Sequence, residues 1–186
     1  MRTRVFTLVA ICLLALIASG CRTVVARSGD ATIKKWPQFP YHVAGSECVR
    51  LVLPAVSLAH PGTNVLRVRD LPSRFVGVFK YDLCLPVKYE EDAAEGSAPW
   101  KDSQITIAFR RLDGVEVCKQ SLNLGAARHE PGRGWDGYCV EWVLPPNSLA
   151  PPPDTSYDIV VVVERPSRRS SDRILLGAYG VYRQKS

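Results

Sequence analysis

Phe79-Lys80-Tyr81-Asp82-Leu83-Cys84-Leu85-Pro86-Val87-Lys88 decides the fold. Side chains of an extended strand alternate between two faces. Phe79, Tyr81, Leu83, Leu85 and Val87 therefore share one face, and Lys80, Asp82, Cys84 and Lys88 share the other. The pattern predicts a half-buried strand. Ile105, Ile107 and Phe109 repeat it, and Leu112-Asp113-Gly114-Val115 adds an Asp-Gly turn leading into Val115 and Val117. That is a hairpin signal, with the two valines on the apolar side of the second strand. Val160, Val161, Val162 and Val163 lack alternation and predict a central strand covered on both faces. Working outward, strands are expected near 48–53, 64–70, 75–88, 103–112, 114–121, 138–144, 156–164 and 174–183, with no helical stripe anywhere. Eight strands without crossover helices predict an all-β protein, an antiparallel β-sandwich immunoglobulin-like in architecture.

The N-terminus has a different character. Arg2 and Arg4 precede an apolar run from Val5 to Ile17, and Ala18-Ser19-Gly20-Cys21 closes it. Thirteen apolar residues fall short of the about twenty that a spanning helix needs. A basic start, a short apolar run and small residues before a cut site mark an export signal. With a cysteine at the cut, the pattern resembles the bacterial lipoprotein signal, although Ala18 stands where that family usually has leucine. The resemblance implies that residues 1–20 are removed, that Cys21 is acylated, and that the protein is held on a membrane by lipid. Arg22 after that cysteine, in place of aspartate, resembles the signal for transfer to the outer membrane, on its periplasmic face. Residues 21–46, with Ser28-Gly29-Asp30, Pro37 and Pro40, show no sustained period and read as a tether. Residues 47–186 are then the sandwich domain.

Removing residues 1–20 takes the basic count from 24 to 22 against 18 acidic residues, a formal charge of +4. The chain has no basic helix and no interleaved basic and aromatic strip, so nucleic acid is not expected as a partner. With Cys12 in the signal and Cys21 assigned to lipid, Cys48, Cys84, Cys118 and Cys139 remain. An even number outside the cytoplasm reads as two disulfides. Their positions in the strand patterns put all four opposite the apolar residues, so the bridges are expected on outer faces. Spacing leaves three connectivities open; the working pairing is Cys84 with Cys118 and Cys48 with Cys139.

Several loops carry residue types used in binding. Glu90-Glu91-Asp92 through Glu95 is acidic but lacks the alternating Asp pattern of a dedicated calcium loop, so a solvated loop and no metal site is expected. Trp135 and Tyr138, among glycines 132, 134 and 137, are of the kind that anchor interfaces. Arg165, Arg168, Arg169 and Arg173 surround Pro166 at an expected hairpin tip, and arginine forks suit carboxylate or phosphate groups. Pro145 to Pro153 reads as a stiff connection.

Catalytic motifs are missing from the sequence: it has no Gly-x-Ser-x-Gly elbow, no His-Glu-x-x-His and no Gly-rich phosphate loop. His42, His60 and His129 each read as loop or tether residues. The expectation is a non-enzyme without cofactor that works by protein–protein binding. Phe79-Lys80-Tyr81-Asp82-Leu83-Cys84-Leu85 and Leu176-Gly177-Ala178-Tyr179-Gly180-Val181 resemble an uncharacterised family of bacterial single-sandwich envelope lipoproteins. Some sandwich lipoproteins of this kind are immunity proteins that block a toxic effector, such as a lipase, delivered by type VI secretion. Others belong to secretion or envelope-assembly machinery. The resemblance implies one of these two roles and carries no functional residue across.

Overall fold

A computed structural model describes residues 24–35, 46–87, 99–129, 140–143 and 151–183. Twelve strands lie in these segments: β1 (Val24–Ser28), β2 (Ala31–Lys35), β3 (Ser46–Val52), β4 (Val56–Ser57), β5 (Gly62–Val68), β6 (Lys80–Val87), β7 (Gln104–Arg111), β8 (Glu116–Asn123), β9 (Arg128–His129), β10 (Val140–Val143), β11 (Tyr157–Arg165) and β12 (Arg173–Arg183). Every pairing is antiparallel. One sheet runs β1-β2-β3-β12-β6-β10-β9 with β4 beside β12, and the other runs β5-β11-β7-β8. The protein is an all-β sandwich, as the alternation predicts, with twelve strands among the described residues where eight were expected.

The core forms where the two sheets face each other. Ile33, Val49, Leu51, Tyr81, Leu83, Ile174 and Leu176 come from the larger sheet, and Leu66, Ile105, Ile107, Phe109, Ile159, Val161 and Val163 from the smaller. β11 is central, paired with β5 on one side and β7 on the other. Its Val160 is buried as well as Val161, which explains the run of valines without alternation. The ends of the core are closed by short 3-10 turns. Pro99–Asp102 buries Trp100, and its successor Ser103 accepts a 3.0 Å bond from Leu124 N–H in the turn Leu124–Ala126. The turn Ser73–Phe75 buries Phe75 against Phe79.

Three expectations are corrected. First, residues 21–46 are not all tether, because β1 and β2 form a hairpin that extends the larger sheet through β3. Each strand is five residues long, with Ala31 and Ile33 of β2 in the core and adjacent Val25 and Ala26 of β1 packed against it, too short a pattern for a visible period. Ser28-Gly29-Asp30, read as tether, is the hairpin's turn. Second, Val115 and Val117 are exposed, whereas Cys118 packs against the core. A register shift between Phe109 and Arg110 sets Phe109 opposite Cys118 but Arg110 opposite Glu116. Two residues of β8 thus span one step of β7 at a bulge, and before it Leu122, Gln120 and Cys118 lie opposite the buried Ile105, Ile107 and Phe109, so the register with β7 and not the alternation from Val115 sets the inward face of β8. Third, Cys118 carries a free thiol, so the working bridge to Cys84 is not formed. The physical reason is placement: β8 is an edge of the smaller sheet, while β6 lies inside the larger one, between β12 and β10. Cys139, and with it the second expected bridge, lies outside the described residues.

A polar contact crosses the core. Tyr81 Oη and Tyr157 Oη, from opposite sheets, are 2.5 Å apart, and the Tyr81 ring meets Phe109 edge-on at 5.0 Å between centroids. Burial, with the neighbouring Tyr157, holds Tyr81 well above the ordinary tyrosine pKa; burial pushes Tyr157 up to about 12, against a lowering by the bond from Tyr81. Both rings keep their protons at a pH where the unfolded chain, with tyrosine pKa near 10, has lost them. The stabilisation is therefore complete below about pH 10 and declines as pH rises towards about 12. Urea unfolding midpoints should be flat on the approach to pH 10 and fall above it. The double variant Tyr81→Phe/Tyr157→Phe should lose most of that dependence.

Candidate binding surface

The β7–β8 hairpin is built around the four residues between its strands, Leu112 to Val115. Gly114 N–H donates to Arg111 C=O at 3.0 Å, Arg111 N–H donates to Val115 C=O at 2.9 Å, and Gly114 has φ of +87°. The loop is Leu112-Asp113-Gly114, a turn followed by a left-handed residue, in which glycine carries no steric penalty. Asp113 Oδ1 accepts from Val115 N–H at 3.0 Å. Arg111 reaches away from the hairpin to Asp154, with Nε 3.1 Å from Oδ2, and so ties the tip to the bend before β11. This half-exposed pair adds direction more than stability.

Apolar side chains project from this stiff frame. Leu112 is 61% exposed, Val115 54% and Val117 45%. Single exposed aliphatics are ordinary on a protein surface, but three within six residues at one hairpin tip make a contiguous apolar projection. Arg110, Asp113 and Glu116 are exposed around it and give it a polar rim of mixed sign.

The outer face of the same sheet continues the surface. Val65, Val160, Ala108 and Lys119 lie side by side in one cross-strand row, and Thr63, Val162, Thr106 and Ser121 in the next. Val65 is exposed while Val160 and Ala108 are buried. Thr106 Oγ1 donates to Glu164 Oε1 at 2.6 Å and lies 2.6 Å from Ser121 Oγ. Arg69 pairs with Asp158 and also donates to Tyr157 C=O at 2.9 Å. Lys119, exposed on edge strand β8, is of the type that discourages pairing with other sheets.

The arginine-rich loop between β11 and β12 is folded onto the domain. Asp172 is its buried organiser, accepting from Ser167 Oγ at 2.5 Å and from Arg169 Nε at 2.6 Å. Leu58 fastens the loop from the other side, donating N–H to Asp172 C=O and accepting from Ser167 N–H, both at 2.9 Å. Arg169 is thus a structural partner of Asp172. Arg168 stays largely exposed and meets Asp102 at 2.6 Å, and Arg165 is exposed. Of the expected binding residues, the structure brings Arg165, Arg168 and Arg169 together in this loop, away from the β7–β8 tip. Trp135, Tyr138, Cys21 and the acidic loop 90–95 lie outside the described residues, and the side chains of Cys48 and Cys84 do as well. Among the described residues no three histidine, cysteine, aspartate or glutamate side chains gather as a metal site would require.

Sequence reading missed the apolar tip because it assigned both valines to the core. The available signal was Leu112 itself, an aliphatic residue directly before Asp-Gly, where turns normally take polar residues. No protein-family model matches the chain, and no curated protein matches it.

Proposed function

We propose that this is a lipid-anchored envelope protein, on the periplasmic face of the bacterial outer membrane, that acts by binding another protein through the β7–β8 hairpin. The observation that carries the proposal is the apolar projection of Leu112, Val115 and Val117 on a backbone fixed by its own hydrogen bonds. A preorganised tip loses little conformational freedom on docking, so more of its apolar burial appears as affinity. The finer reading is immunity: three aliphatic groups on a narrow two-stranded projection suit a deep apolar cleft, the shape by which a lipase holds acyl chains. Filling that cleft would neutralise a toxic effector without chemistry by the binder. The N-terminal signal supports the location, and no helix among the described residues is long and apolar enough to cross a membrane.

The test is Leu112→Asp combined with Val115→Asp. Both positions are exposed, so stability should change by no more than about 0.5 kcal/mol each. Co-expression of the parent with a toxic lipase delivered to the periplasm and encoded beside it should restore growth, and the double variant should lose that protection while retaining its unfolding midpoint. Equal protection by both forms would move the contact elsewhere. An envelope defect on deletion, in cells without such a toxin, would favour the assembly role instead.

A further inference from the structure

The structure places the start of the folded domain closer to the expected lipid site than a tether allows. β1 begins at Val24, so two residues separate it from Cys21. Three residue steps of extended chain reach about 10 Å at most. Val24 is 50% exposed and faces Lys34 across the hairpin, and Lys35 beside it is exposed. The same cross-strand row continues in backbone register from Lys34 through Arg50, which is buried, and Tyr179 to Lys80, so the accessible positive charge at this level rests on half-buried Lys34 and exposed Lys35. β12 runs on past that level to Arg183, opposite Ser46, with Glu47 as the acidic residue of the neighbouring pair.

We infer that this end of the larger sheet, led by Val24, Lys34 and Lys35, is a membrane-docking edge for anionic phospholipid headgroups. The inference rests on the acylation of Cys21 and adds an orientation to it. Two features select the occupant. A chain this short holds the β1–β2 hairpin within headgroup reach wherever the acyl groups insert, and positive charge at that level complements a negative lipid surface. The exposed valine can enter the apolar boundary beneath the headgroups. Arg173, at the other end of β12, lies six residues from the Tyr179 level, which at about 3.3 Å each is roughly 20 Å along the sheet. The Arg168 loop preceding it therefore faces away from the bilayer.

The test uses the full chain, purified in its acylated form after verification of Cys21 by mass, and reconstituted in vesicles of phosphatidylethanolamine and phosphatidylglycerol. Val24→Trp and Arg168→Trp are compared by quenching with dibrominated phosphatidylethanolamine, present at the same fraction in all vesicles, each against the parent to subtract the native tryptophans. The added tryptophan at position 24 should be quenched at least two-fold, and that at position 168 should not change. Adding Lys34→Glu and Lys35→Glu to Val24→Trp should reduce the quenching, and neutral vesicles should do the same. Equal quenching at both positions, or stronger quenching at 168, overturns the orientation while leaving acylation intact. A purified chain with unmodified Cys21 overturns the lipid anchor and this edge with it.

Discussion

Phe109→Ala should destabilise the domain by about 3–5 kcal/mol, as expected for a fully buried aromatic ring cut to a methyl group. The ring lies between the sheets with Tyr81 at 5.0 Å and Tyr157 at 6.1 Å between centroids. Its removal takes away apolar contact and also the wall that holds the two tyrosine rings in place. The hydroxyl pair offers the internal comparison. Tyr81→Phe leaves Tyr157 Oη without the one partner across the core and should cost about 1–3 kcal/mol, because an unsatisfied buried group keeps its desolvation penalty. Removing both hydroxyls should cost less than that single change, since no polar atom is then stranded. Urea unfolding of the three variants beside the parent at neutral pH measures all three terms. A double variant weaker than Tyr81→Phe would show that the pair contributes net attraction beyond mutual satisfaction.

Gly29→Ala should be the most damaging methyl addition among the described glycines. Gly29 has φ of +63°, and an added Cβ would stand 2.4 Å from the Arg67 carbonyl oxygen. The left-handed conformation alone costs an ordinary residue about 1–3 kcal/mol. The clash cannot be relieved by rotating a side chain, because the obstructing atom is backbone. Moving the turn would break Asp30 N–H to Arg67 C=O and Arg67 N–H to Asp30 Oδ2, both 2.7 Å, and Ser28 Oγ–H to Arg69 C=O at 2.6 Å. Gly77→Ala isolates the strain, since Gly77 has φ of +73° with nothing near the added methyl. Thermal unfolding should show Gly29→Ala lower than Gly77→Ala by several degrees, at about 2–4 °C per kcal/mol for a domain of this size. Equal midpoints would mean that the β1–β2 turn does not hold the edge of β5.

That turn also shows why part of the fold was hidden in the sequence. The long strands announce themselves: β7 and β11 each place three or more apolar side chains in the core, β6 places Tyr81 and Leu83 there with Phe79 just before it, and β11 reads as central from its unbroken valines. β1, β2, β4 and β9 have two to five residues each, and a period cannot be read from so few. Their place is set by hydrogen bonds to strands far along the chain, as with β4, which pairs with the start of β12. The candidate surface was misread for a related reason. Val115 and Val117 alternate as core residues should, but the register with β7 sets Cys118 opposite the buried Phe109 and so gives the inward face of β8 to Cys118 and Leu122 instead of the valines.

The sequence by itself determined the class of fold and the central strand, because each depends on residues close together in the chain. Alternation marks a strand wherever enough of it is present. Tertiary structure alone decided where the domain begins, which cysteine stays a thiol, and which aliphatic side chains reach water. Those outcomes follow from the pairing and register of strands, whose energy lies in contacts that local pattern does not contain.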